Sequence, residues 1–97
     1  MSRKARVRVK VSEGFRQHYV SGVIVGHSPA EFRLIFFRDS TEISEGSAEV
    51  LSQPSIVREM LFEVVMSPVQ AKLLAEQLSK NVEHYERVFG RIPATRG

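Results

Sequence analysis

The stretch Ser67–Gly90, SPVQAKLLAEQLSKNVEHYERVFG, decides the fold because it contains the signals for both ends of one long helix. Ser67 is a residue type favoured at an N-cap, and Pro68 suits the first helical position because its missing N–H is not needed there. Gln70 stands three residues after the cap, as in a capping box. The sequence therefore predicts that a helix begins at Pro68.

The other end of this helix is equally well marked. Gly90 favours a left-handed conformation just past a helix, and Pro93 prevents the helix from continuing. The predicted helix covers residues 68–89 and would be about 33 Å long at 1.5 Å per residue. Apolar residues recur along it at helical spacing, namely Ala71, Leu74, Ala75, Leu78, Val82, Tyr85 and Phe89.

Upstream of the helix, four segments have the alternation or the β-branched content typical of strands. Residues 5–12 are the most regular, with Val7, Val9 and Val11 on one side and basic residues on the other. The four predicted strands are residues 5–12, 18–27, 31–38 and 56–66, with an exposed acidic loop over 39–55.

These elements predict a single α+β domain over residues 1–97. Its sheet is a four-stranded antiparallel meander, and the long C-terminal helix packs on one face of that sheet. Ser28-Pro29-Ala30 provides a turn between the second and third strands, because proline fixes φ and cannot donate to a ladder.

The predicted third and fourth strands are apolar on both faces, although one helix covers only one face. A second subunit is the commonest way to bury the other face, so the sequence predicts a homo-oligomer. Alternatively, the long loop or the N-terminal segment folds over that face. The residues assigned to the oligomer or apolar-binding face are Ile35, Phe37, Leu61 and Val65.

A basic stripe lies at the N-terminus, where the first ten residues contain no acidic residue. Side chains two residues apart on a strand face are about 6.6 Å apart, close to the phosphate spacing of a nucleic-acid strand. The stripe is therefore the candidate nucleic-acid site, although an edge strand whose charges discourage aggregation is the simpler explanation. Its residues are Arg3, Lys4, Arg6, Arg8 and Lys10.

No combination of residues indicates catalysis, a cofactor or a metal. The chain has no cysteine, and His18 and His27 would point to opposite faces of a regular strand. The segment GHSPA at 26–30 is similar to a hydrolase nucleophile elbow, but Pro29 cannot supply the oxyanion-hole N–H. We expect a non-catalytic protein without a membrane span or a secretory signal, which makes the cytoplasm its expected location.

The residues from Tyr19 to Ile92 resemble a small prokaryotic family, the domain of unknown function numbered 3467. The most specific part is Met66–Ile92, with Ser67-Pro68, Asn81 and Phe89-Gly90. The family pattern usually has Asn near position 21 and Asp near position 35, where this chain has Ser21 and Ile35. The resemblance implies no activity.

The layout of four antiparallel strands and a long helix is also similar to that of the export chaperone SecB. The function expected from the sequence is a non-catalytic protein-interaction module that acts as a homo-oligomer and binds a protein or peptide. Two alternatives stay open: nucleic-acid binding through the basic N-terminal strand, and SecB-like holding of apolar or unfolded peptides. Salt dependence separates them, because phosphate contacts weaken as salt rises.

Overall fold

The computed structural model describes residues 4–42 and 55–93. In these residues, β1 is Gly22–His27, β2 is Phe32–Glu42, β3 is Ser55–Met66 and α1 is Pro68–Phe89. The strands form one antiparallel sheet in the order β1-β2-β3, and α1 follows β3 directly. The α+β class and the C-terminal helix are confirmed, but the described sheet has three strands and the prediction of four is wrong.

The predicted strand over residues 5–12 accounts for the difference, because these residues belong to no ladder. The Phe15 N–H donates to the Ser12 carbonyl at 3.0 Å, which closes a turn after this segment. The His18 ring then lies 5.1 Å from the ring of Phe62 in β3. The chain before β1 thus crosses the sheet toward β3 instead of pairing along β1. We call residues 4–17 the N-terminal arm.

The other strand predictions are confirmed with shifted bounds. The predicted strand 18–27 begins only at Gly22, and β2 continues past residue 38 to Glu42. The first part of the predicted loop 39–55 is therefore strand, β3 already begins at Ser55, and residues 43–54 lie outside the described part.

A bulge interrupts the pairing of β2 with β3. Phe36 pairs with Phe62 and Phe37 pairs with Met60, which leaves Leu61 without an opposite residue. Paired residues share a sheet face, so Met60 lies on the face of Phe37 whereas Phe62 lies on the face of Phe36. Uninterrupted alternation over residues 56–66 would put Met60 and Phe62 on the same face, whereas the bulge places them on opposite faces.

Helix α1 begins and ends where the sequence predicts. The Ser67 side chain accepts a hydrogen bond from the Gln70 N–H at 3.1 Å, which is the N-cap geometry. At the other end, Gly90 has φ of 104° and its N–H donates to the Glu86 carbonyl at 3.0 Å. The positive φ is the reason that glycine suits this position.

Very little of the described chain is buried. Phe37, with 8% of its surface exposed, is the one buried hydrophobic residue within 4–42 and 55–93. Gly22 stands beside the ring, and the Arg58 guanidinium lies 4.1 Å from the ring centroid. The core of the single chain is therefore a small cluster on one face of the sheet.

Candidate functional site

An open apolar groove of about 340 Å³ lies between α1 and the sheet. Its walls include Val25, Phe32 and Leu34 from the strands and Ala71 and Ala75 from the helix. This places Phe32 and Leu34 on the face that meets the helix, a point that the sequence left open. Lys72 is the charged residue among those that line the groove. The groove is therefore suited to apolar side chains.

The helix is longer than the groove that it borders. At about 1.5 Å per residue its 22 residues extend about 33 Å. The lining of the groove ends at Leu78, near the middle of the helix. The apolar residues that follow on the same helical face stay exposed, with 43% of Val82, 48% of Tyr85 and 73% of Phe89 open to solvent. We call Leu78, Val82, Tyr85 and Phe89 the helix stripe.

The face predicted for oligomerisation is the one opposite the groove. Ile35 lies there half-buried, and the ring of Phe37 is covered by Arg58 of the same chain. Leu61 is half-buried at the bulge, and Val65 has 48% of its surface exposed. Of these four residues, Val65 is the one that offers a large free apolar surface.

The same face carries an ion pair that the sequence did not predict. Both Arg58 Nε and Arg58 Nη2 donate to the Asp39 carboxylate, at 2.9 and 3.0 Å. The hydrogen bond from Arg58 lowers the pKa of Asp39, while desolvation opposes this effect and the Arg58 charge adds to it. Asp39 lies in the predicted loop 39–55, and only the register of β2 with β3, which pairs it with Arg58, identifies its partner.

The predicted nucleic-acid residues lie on the N-terminal arm. Lys4, Arg6, Arg8 and Lys10 are all exposed, and Arg3 lies outside the described residues. The intervening valines are exposed as well, with 85% of Val7 and 89% of Val9 open to solvent. The arm is extended but unpaired, so no ladder fixes the spacing of its charges.

The histidines have surroundings unlike those of metal ligands. The His27 ring stacks on Phe32 with centroids 5.3 Å apart, and the His18 ring lies tilted against Phe62 with centroids 5.1 Å apart. His84 is exposed on α1. Across the residues that the structure describes, no three side chains of His, Asp or Glu come together as metal ligands would. Within the same residues, no helix is long and apolar enough to cross a membrane.

A family model described as "Protein of unknown function (DUF3467)" matches residues 2–94, nearly the whole chain. The chain belongs to the DUF3467 family. The match confirms the resemblance noted between Tyr19 and Ile92 and also covers residues 2–18 of this DUF3467 protein. No curated protein and no solved structure matches the chain. The similarity to SecB thus rests on element order alone, and the three-stranded sheet weakens it.

Proposed function

We propose that this DUF3467 protein is a non-catalytic protein-interaction module that acts as a homo-oligomer. One observation carries the proposal: Phe37 is the one buried hydrophobic residue of the described chain, while the helix stripe, β1 and the walls of the groove are open. A domain of this size ordinarily buries about two thirds of the surface of its unfolded chain. Association buries the apolar surface that the single chain leaves in water.

The edge of β1 supports the same proposal. Its sequence GVIVGH has no Lys, Asp, Glu or Pro, the residues that usually protect an exposed edge from pairing. Val23, Ile24 and Val25 have between 43% and 56% of their surfaces exposed. By contrast, β3 carries Arg58 and the bulge at Leu61, so the β1 edge is the one that gains most from a partner.

Light scattering after size exclusion, at low and at high salt, tests the proposal. The wild-type protein should be an oligomer under both conditions, because apolar association is not screened by salt. Val82→Asp should dissociate it, since a charge at the helix stripe would be desolvated in the assembly. Lys80→Asp is the matched control, because the same side chain is placed on an exposed polar position of α1. It should leave the oligomer intact.

A wild-type monomer at both salt concentrations would contradict the proposal. If that monomer also bound unfolded chains and apolar dyes independently of salt, the groove would act as the SecB-like holding site instead. This outcome is readable in the same samples, because dye binding is measured by fluorescence on the separated species.

Polyanion binding by the arm is a second candidate. It is favoured by the exposure of Lys4, Arg6, Arg8 and Lys10 on a segment that contributes to no ladder. Fluorescence anisotropy with a labelled single-stranded DNA tests it at about 50 and 200 mM salt. Binding through four cations should weaken steeply between these concentrations, because each neutralised phosphate releases counterions. Reversing the charges at Arg6 and Arg8 should abolish binding, whereas salt-independent binding would exclude this candidate.

A further inference from the structure

The partner that fills the groove can be identified if the proposed homo-oligomer is accepted as the starting point. We infer that two copies pair about a two-fold axis with their α1 helices antiparallel, each copy placing Tyr85 and Phe89 in the groove of the other. The lining of the groove ends at Leu78, so Val82, Tyr85 and Phe89 of the same helix do not contribute to it. These three side chains stay exposed. In a two-fold dimer, Tyr85 and Phe89 of each copy would fill the open groove of the other, so that the same contact forms twice and buries both surfaces.

The spacing of the apolar residues on α1 is that of a helix–helix seam. Six of these residues, starting from Ala71, follow one another at steps of four, three, four, three and four residues. This is the heptad pattern of a and d positions, which keeps one stripe facing a partner helix. The seam residues are Ala71, Ala75, Leu78, Val82, Tyr85 and Phe89.

The sizes of the seam residues favour the antiparallel arrangement. When Val82 of one helix lies opposite Leu78 of the other, Tyr85 lies opposite Ala75 and Phe89 lies opposite Ala71. Each large ring at the C-terminal half then meets a small residue at the N-terminal half of the second copy, which is how closely packed interfaces avoid both voids and clashes. A parallel pair would place ring against ring and alanine against alanine.

The charges beside the seam agree with the same register. Lys72, which lines the groove, and Glu86 lie on the same flank of the seam. Lys72 is in the N-terminal half of α1 and Glu86 is in the C-terminal half. Antiparallel pairing brings Lys72 of each copy beside Glu86 of the other, and Ser79 of both copies comes to the two-fold axis. Glu86 is half-buried, and its Oε2 accepts from the Ile92 N–H at 2.8 Å. In the dimer, Lys72 of the second copy would donate to the other carboxylate oxygen, Oε1.

The area of this contact is sufficient for a stable dimer. Large aromatic side chains offer roughly 200 Å² each, so at the exposures of 48% and 73% Tyr85 and Phe89 have more than half of that surface to bury on average. With Leu78, Val82 and the walls of the two grooves included, the assembly would bury on the order of 1,000 Å², the area that a specific interface has to reach.

Single-cysteine cross-linking tests the geometry directly, because the chain has no native cysteine. Ser79→Cys, at the predicted axis, should form covalent dimers with a short bismaleimide at least tenfold faster than Lys80→Cys. Lys80 follows it in the sequence but lies on the opposite side of the helix from the seam. Equal rates for the two variants would overturn the antiparallel pairing.

A filling substitution separates this seam from non-specific apolar association. Ala75→Leu retains a good helix former but occupies the space that Tyr85 of the second copy requires. The dissociation constant measured by light scattering on a dilution series should rise at least tenfold. An unchanged or tighter dimer would contradict the inference, because added apolar surface strengthens a contact without a specific fit. Circular dichroism at 222 nm verifies that the variant keeps its helix.

The two proposals fail in different ways. A wild-type monomer removes both the proposed homo-oligomer and the helix exchange. A wild-type oligomer in which Ser79→Cys does not cross-link removes the helix exchange alone. In that case Val9→Cys and Ile24→Cys, which place the same probe on the arm and on the β1 edge, would reveal which of these surfaces the second copy covers instead.

Discussion

Gly22 in β1 and Phe37 in β2 are direct partners in the ladder, and a Cβ built on Gly22 would lie only 2.5 Å from Phe37 Cζ. Phe37 is the one buried hydrophobic residue of the described chain, and its ring can occupy this position only because Gly22 has no side chain. Gly22→Ala should force the ring to move and cost about 1–3 kcal/mol of unfolding free energy, as overpacking does. Urea denaturation followed by circular dichroism measures this loss.

Gly26→Ala is the matched control, because it makes the same change in the same strand. No heavy atom lies within 4 Å of a Cβ placed on Gly26, and its φ is not positive. Alanine should therefore be tolerated there and even stabilise the strand by a few tenths of a kcal/mol through the unfolded state. Equal losses for the two variants would show that the Phe37 ring is not held as described.

Ser67→Ala should shorten or destabilise α1, because it removes the acceptor for the Gln70 N–H. Losing an N-cap of this kind costs about 1 kcal/mol. Ser67→Asp keeps an acceptor at the same position and should preserve the urea midpoint. If Ser67→Ala and Ser67→Asp unfold alike, the cap does not contribute to stability.

Gly90→Ala should destabilise the end of α1. The φ of 104° at Gly90 is a conformation that a residue with a Cβ rarely adopts, and the strain should cost roughly 1 kcal/mol. Gly14→Ala is a suitable comparison, since its φ is ordinary and the nearest atom to an added Cβ is Ser12 Oγ at 3.8 Å. Thermal unfolding of both variants should show a lower Tm for Gly90→Ala only.

The pH dependence of stability should report the ion pair of Asp39 and Arg58. The hydrogen bond from Arg58 lowers the pKa of Asp39 in the folded chain below its unfolded value of about 3.9. The resulting stabilisation is fully present above the unfolded pKa and is lost as the pH falls through the lower, folded pKa. Asp39→Asn should therefore be less stable than the wild type at pH 7.

The same pair of proteins supplies the control at acid pH. Both have a neutral side chain at position 39 once the carboxyl is protonated, so their urea midpoints should converge at about pH 2. A difference that persists unchanged at that pH would assign the effect to something other than the charge of Asp39.

Local signals in the sequence were enough to place α1, because its cap, its proline and its terminal glycine act within a few residues of one another. The same holds for the existence of β2 and β3, whose apolar and β-branched content is dense. The strand predicted over residues 5–12 failed for a different reason: alternation shows that a segment can pair, but the partner is decided by distant contacts such as that of His18 with Phe62.

The candidate site was predictable only in part. The apolar face of α1 follows from periodicity, yet the sequence placed the free apolar surface opposite the helix, around Ile35 and Phe37. The groove and the exposed end of α1 become visible only in the folded chain, where the lining of the groove ends at Leu78 and Tyr85 and Phe89 stay exposed. Likewise, no local pattern connects Asp39 with Arg58.

The bulge at Leu61 divides β3 into two halves that are out of phase. The effects of single substitutions along β3 should therefore not alternate with one period of two residues from end to end. Positions with the parity of Met60 would report on the environment of Phe37 before the bulge and on the groove after it. Removing Leu61 would remove the bulge and give β3 one continuous alternation, in which Met60, Arg58 and Ile56 keep their partners in β2 and their face, and the guanidinium stays over Phe37.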